Sequence, residues 1–280
     1  MVLKSPTVRH RRLGRELRKL REETGLLPET AAKQLGWSRQ KLNRLENART
    51  MPSTTDVAAI CDLYGTDSTT KAGLVQLCKD AGQRGWWTAY SDVLAGSYVV
   101  LEAEATAIRT WEPLLIPGLL QSEGYARTII HGGRPTLEKD ELERRVAARM
   151  TRKITLLGAN APTFHALIDE GAIRRQANPA ELMAVQLDEL LQITDRPNVT
   201  IQVVPASAGL YLGLQGSFSV LSFDPEDPNV GYTGSPGGDL FLEAAASVNR
   251  LMLTFERLTA MALSPEQSAD LIAAVRSDYD

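Results

Sequence analysis

The chain has 280 residues, enough for a small domain and a larger one, with a formal net charge of −3. Two cysteines and three scattered histidines exclude a disulfide framework and a metal-ligand cluster, so no cofactor is expected. No apolar run reaches the length of a membrane span or a signal core, so a cytoplasmic protein is expected.

The charge is unevenly spread. Residues 1–84 hold 16 Lys and Arg against 9 Asp and Glu, a balance of +7, whereas the remainder stands at −10. A cationic N-terminal region suits a polyanion, because released counterions drive association. An acidic remainder does not.

In chain order, residues 9–24 read as a helix with Leu13, Leu17 and Leu20 on one face and a basic opposite face. From that face Arg9 or Arg12 is placed to touch phosphate. Gly25 ends the helix, and Pro28 and Glu29 open the next. Residues 26–47 then read as two short helices around a tight turn, with Ala32 at the crossing and Gly36 where a positive φ is needed. Ser38 caps a second helix running to Asn47. Ser53 and Asp56 form a capping box before a fourth helix carrying Val57, Ile60, Cys61 and Tyr64, and a fifth follows at about 68–81 with Leu74, Leu77 and Cys78.

The second helix of that pair carries the functional signal. Leu42 and Leu45 define its packed side, which leaves Arg39, Gln40, Asn43, Arg44 and Asn47 opposite. Each of these carries hydrogen-bond donors and none is acidic; Glu46 lies on the flank. Arg suits guanine edges, and Asn or Gln suits adenine. Arg39, Gln40 and Asn43 are therefore assigned to bases, Arg44 to a base or phosphate, and Lys41 and Arg49 to phosphates.

The runs RRLGRELRKLREETG, AAKQLGWSRQKLNRLENAR and PSTTDVAAICDLYG resemble the XRE family of bacterial repressors. The resemblance implies a five-helix, repressor-like domain that binds operators as a dimer. The family's Ser or Thr followed by Gln is replaced here by Leu27 and Pro28, and its common Gly by Ala48.

Gly82 to Gly85 reads as a short polar hinge, with Trp86, Trp87 and Tyr90 as an anchor between domains. Beyond it helix and strand alternate. Residues 105–121 read as a strand entering a Pro-Gly turn and 122–130 as a helix. Residues 136–158 read as one long amphipathic helix carrying Leu142, Val146, Met150, Ile154 and Leu157. Strands are expected at 163–171, 198–205, 216–223 and 229–234, helices at 179–195, about 240–262 and 265–278. His165, Asp169 and Glu170 lie close in sequence, but a structural His and turn carboxylates fit better than acid–base chemistry. The Gly-rich run 205–216 lacks a phosphate-cradle spacing and reads as a lid or a loop.

Several of these runs, above all PGLLQ followed by YAR, resemble the C-terminal domain of a large group of actinobacterial regulators described as antitoxin-like. The resemblance spans roughly 87–276 and implies an XRE head and a small partner protein encoded nearby. The group's Glu after the third-strand Tyr has no counterpart, since Thr233 and Gly234 follow Tyr232.

The sequence thus predicts an α+β protein: a five-helix repressor-like DNA-binding domain (1–81), a hinge and anchor (82–98), and a mixed α/β C-terminal domain (99–280). The expected function is a sequence-specific, non-enzymatic transcriptional regulator. Its partners are double-stranded DNA, a second copy of the chain, and a small-molecule effector or small protein at the C-terminal domain. An antitoxin-like protein that neutralises a small partner is the alternative.

Overall fold

Among the described residues, five helices make up the N-terminal unit: α1 (Val8–Glu23), α2 (Pro28–Gln34), α3 (Arg39–Glu46), α4 (Thr54–Leu63) and α5 (Ser68–Ala81). The computed structural model describes residues 8–82, 89–90, 92–93, 98–158, 160–224, 227–235 and 238–279, and divides into Met1–Thr88 and Ala89–Asp280. Of the segment read as hinge and anchor, Gln83 to Gly85 and the Trp86–Trp87 pair lie outside the described residues. Tyr90 belongs to the second unit, where its hydroxyl meets Thr151 Oγ1 at 3.1 Å.

Each helix begins and ends as its residues dictate. Gly25, Gly36 and Gly65 take φ of 71°, 70° and 67° after α1, α2 and α4, a region that costs other L-residues steric strain. The Ser53–Asp56 capping box is formed in both directions. Leu13, Leu17, Ala31, Ala32, Leu42, Leu45, Val57, Ile60 and Cys61 close one apolar core.

The second unit is built on a six-stranded mixed sheet in the order β3-β2-β1-β4-β5-β6. Its strands are β1 (Ala107–Glu112), β2 (Thr163–Asp169), β3 (Val199–Val204), β4 (Phe218–Ser222), β5 (Val230–Ser235) and β6 (Gly238–Leu242). β1, β2 and β3 run parallel, and β4, β5 and β6 are added antiparallel. Helices α7 (Glu123–Gly133) and α8 (Lys139–Arg152) cross from β1 to β2, and α9 (Glu170–Ile173) and α10 (Glu181–Ile193) cross from β2 to β3. α11 (Ala245–Met261) covers the face that carries Trp111, Leu167 and Val220, while α12 (Pro265–Ser277) closes the outer edge. There the Leu263 amide donates to Val203 O and the Val203 amide to Ser268 Oγ, so edge-strand groups are not left bare.

Three expectations are corrected. The helix read over 136–158 stops at Arg152 and tightens into a 3-10 turn. The 3.6-residue phase is lost there: Leu156 is buried, whereas Ile154 and Leu157 are 58% and 49% exposed. The closing helix does not begin near 240, because Gly238–Leu242 pair with β5 as an edge strand. A short helix, α6 (Tyr98–Glu104), was not foreseen; it buries Val99, Leu101 and Glu102. β3 is buried along nearly its whole length, because both of its faces are covered.

Candidate nucleic-acid interface

α2 ends with the Trp37 amide bonding to Ala32 O at 2.8 Å and the Gly36 amide to Lys33 O at 3.1 Å, so the chain reverses within three residues. Ser38 then caps α3, its hydroxyl accepting from the Lys41 amide at 3.1 Å. Leu27 stands at the N-cap of α2 without a side-chain bond, as the missing Ser or Thr and Gln imply. α3 ends in a paired turn: the Ala48 amide bonds to Leu45 O at 3.0 Å and the Arg49 amide to Arg44 O at 2.7 Å. Ala48 adopts φ 52°, the left-handed value for which Gly is the usual choice.

α3 is seated by two features that its own sequence does not disclose. Gly14 of α1 lies against its C-terminal turn; a Cβ there would come within 2.8 Å of Glu46 O and 2.9 Å of Leu45 O. Arg21 of α1 reaches Glu46 with Nε–Oε1 at 2.7 Å and Nη2–Oε2 at 3.0 Å, and donates from Nη1 to Leu26 O at 2.9 Å. Both side chains are almost fully buried, at 8% and 3% exposure. Glu46 therefore faces inward, and the only acid of α3 is removed from its outer surface.

On that outer surface Arg39, Gln40, Arg44, Asn47 and Arg49 are exposed, and Asn43 and Lys41 are half-buried. Arg39 pairs with Glu29 while both stay well exposed. Such a pair contributes little and exchanges readily for another anion. Lys41 is held more firmly, with Nζ 2.6 Å from Asp56 Oδ1 and 3.7 Å above the Trp37 ring. Burial opposes ionisation of Asp56, but Lys41 and the Ser53 amide and hydroxyl hold its pKa below the usual carboxylate value. Asn47 turns its amide back to donate to Asn43 O at 2.7 Å. Arg12 is half-buried on α1. His10 donates from Nε2 to Thr50 O at 3.1 Å, tying the start of α1 to the loop after α3.

A family model described as a helix-turn-helix domain matches residues 12–73. A second, described as a domain of unknown function, DUF5753, matches residues 95–274, more than half of the chain. The chain belongs to the DUF5753 family. No curated protein and no solved structure matches it. In this DUF5753 protein the helix-turn-helix match takes in α2, the turn and α3 entire, the arrangement that presents a helix to DNA. No helix among the described residues is long and apolar enough to cross a membrane.

His165, Asp169 and Glu170 of the DUF5753 domain each hold structural partners. His165 Nε2 lies 2.8 Å from Gln202 Oε1 with its ring edge-on to Phe255, and burial lowers its pKa. Asp169 caps α9 and accepts from the Tyr211 hydroxyl. Glu170 begins α9 and accepts from the Ala206 amide at 2.8 Å. The Gly-rich run forms two 3-10 turns, Ala206–Ala208 and Leu212–Gln215, pinned by Trp111 Nε1 donating to Gly213 O at 2.7 Å.

Proposed function

We propose that this protein is an XRE-type, sequence-specific transcriptional regulator. Residues 1–81 form the DNA-reading head, and residues 99–280 dimerise and sense a ligand or a small protein partner. The observation that carries the reading is the outer face of α3. Arg39, Gln40, Asn43, Arg44 and Asn47 share it, and the helix's one acid is turned into the core by Arg21. Arg39, Gln40 and Asn43 contact base edges, and Arg44 a base or phosphate. Asn47 reads at the helix end once its bond to Asn43 O is released. Arg49, Arg12 and Lys41 meet phosphate, Lys41 least strongly because Asp56 and Trp37 compete for it. A dimer of such heads occupies half-sites about one helical turn, or a multiple, apart.

The small-protein reading, and the antitoxin-like role that goes with it, is supported by one surface. Leu210, Leu212 and Leu214 are 96%, 55% and 46% exposed on a single loop of the DUF5753 domain. Selection of random duplexes by the full chain tests the leading proposal. It should enrich an inverted repeat with that spacing, and recovery of unenriched sequence would contradict it.

A further inference from the structure

The sheet face opposite α11 is polar at its centre. Thr110 and Glu112 of β1, Ser219 of β4 and Tyr232 of β5 lie on it, with Phe164 of β2 beside them and the Thr110 and Ser219 hydroxyls 2.9 Å apart. α6 contributes Tyr98 and Glu102, α8 contributes Arg149 and Arg152, and the turn Pro117–Gly118–Leu119 completes the wall of a cavity of about 180 Å³. That space suits a metabolite of a few heavy atoms.

The charges in this cavity are arranged unequally. Arg152 is matched by Glu102 in a bidentate pair, at 2.9 and 2.7 Å. Arg149 has one bond, from Nη1 to the neutral Gln121 Oε1 at 2.8 Å. Glu112 has no hydrogen-bond partner among the described residues, and no ion pair joins it to Arg149. Gly118 lets the turn approach closely; a Cβ there would stand 3.2 Å from Arg149 Nη1. One guanidinium and one carboxylate thus line the same small space, each with unused hydrogen-bonding capacity, beside two hydroxyls and the Tyr98–Tyr232 ring pair.

We propose that this cavity binds a small zwitterion of the α-amino-acid type, its carboxylate on Arg149 and its ammonium on Glu112. The neutral sum of these two groups rejects a ligand of large net charge. Burial raises the Glu112 pKa to about 7, offset in part by Arg149, whereas burial and neighbouring Arg152 lower Arg149 only to about 10, so it stays charged. Glu112 is faced by Arg149 and Arg152 from α8, by Glu102 and Tyr98 from α6 and by Tyr232 from β5. An ammonium needs Glu112 ionised. Zwitterion affinity therefore rises about tenfold between about pH 6 and about pH 8, while a plain anion binds better as pH falls.

The proposal rests on the sensing role proposed above and names its site. The test is calorimetric titration of the full chain with glycine, L-serine and L-asparagine, and with acetate and methylammonium as half-ligands. We expect millimolar or tighter binding of at least one amino acid and at least tenfold weaker binding of both half-ligands. Glu112→Gln, which preserves shape, should weaken the amino acid at least tenfold and abolish its pH dependence; Gly118→Val should block the cavity. Acetate binding as tight as that of the amino acids, amino-acid binding indifferent to Glu112→Gln, or no binding of any probe would overturn the proposal. Operator affinity measured with the bound amino acid separates the two readings. Cavity binding without a change in operator affinity upholds the site and sinks the sensing role. A DNA response to some other effector, with no amino-acid binding, upholds sensing and sinks the site.

Discussion

Removing either partner of the Arg21–Glu46 pair should loosen the DNA-reading helix, whereas removing both should not. With side chains 8% and 3% exposed and two hydrogen bonds between them, neither charge can recruit water cheaply once its partner is gone. Breaking a buried pair costs about 3–5 kcal/mol. Glu22, whose Oε1 lies 3.8 Å from Arg21 Nη2, and the Leu26 carbonyl offer partial compensation, which places Glu46→Leu near 3 kcal/mol. Arg21→Met should cost a similar amount, while the double variant replaces the pair by apolar groups and should return to within about 1 kcal/mol of the native chain. The assay is amide hydrogen exchange of α3 in the full chain, which reads this unit separately from the DUF5753 domain. A loss of about 3 kcal/mol speeds global exchange at Leu42 and Leu45 roughly a hundredfold. Single losses that simply add in the double variant would refute the argument that the pair acts as one buried unit.

Gly14→Ala tests the α1–α3 contact, and its sign is diagnostic. Alanine in an exposed helix gains up to about 1 kcal/mol over glycine, but here its Cβ meets two backbone carbonyls of α3 below 3.0 Å, so a loss of about 1–3 kcal/mol is expected in denaturant unfolding. Tyr64→Phe should stabilise the same unit by about 1 kcal/mol in that measurement. The Tyr64 hydroxyl is buried with no partner among the described residues, and burial, reinforced by Glu46, pushes its pKa up to about 12. In the DUF5753 domain, Glu112 keeps its proton in the folded state to about pH 7, whereas the unfolded side chain releases it near its ordinary value. Its contribution to stability is therefore full below that ordinary value and lost as pH rises toward about 7. Thermal melts across this range should show the decline in the native chain and not in Glu112→Gln.

The helical head was largely legible because its signals are local. Ser38, Ser53, Gly36 and the Leu42–Leu45 spacing act within a turn or two, and the structure realises each. What seats α3 was not legible, since Arg21 and Glu46 are 25 residues apart and Arg21 sits in a run of surface cations. Gly14, a lone glycine inside a helix next to buried Leu13, was the one available sign of a close approach. In the larger domain, periodicity misled at Ile154 and Leu157 because α8 tightens after Arg152 and shifts the phase of the side chains. β6 escaped notice because Leu240 and Leu242 fit a helical stripe as well as a half-exposed edge strand. The cavity joins residues from Tyr98 to Tyr232 across seven elements and turns, and only the fold brings them together.

The central claim, that the outer face of α3 reads base pairs, is tested most directly by duplex selection with the full-length native chain and with Arg39→Ala in parallel. The account predicts one enriched motif for the native chain, and for the variant relaxed preference at one position per half-site with a loss of about 1–3 kcal/mol on the selected operator. An unchanged motif and affinity for Arg39→Ala, together with the same result for Asn43→Ala, would contradict it.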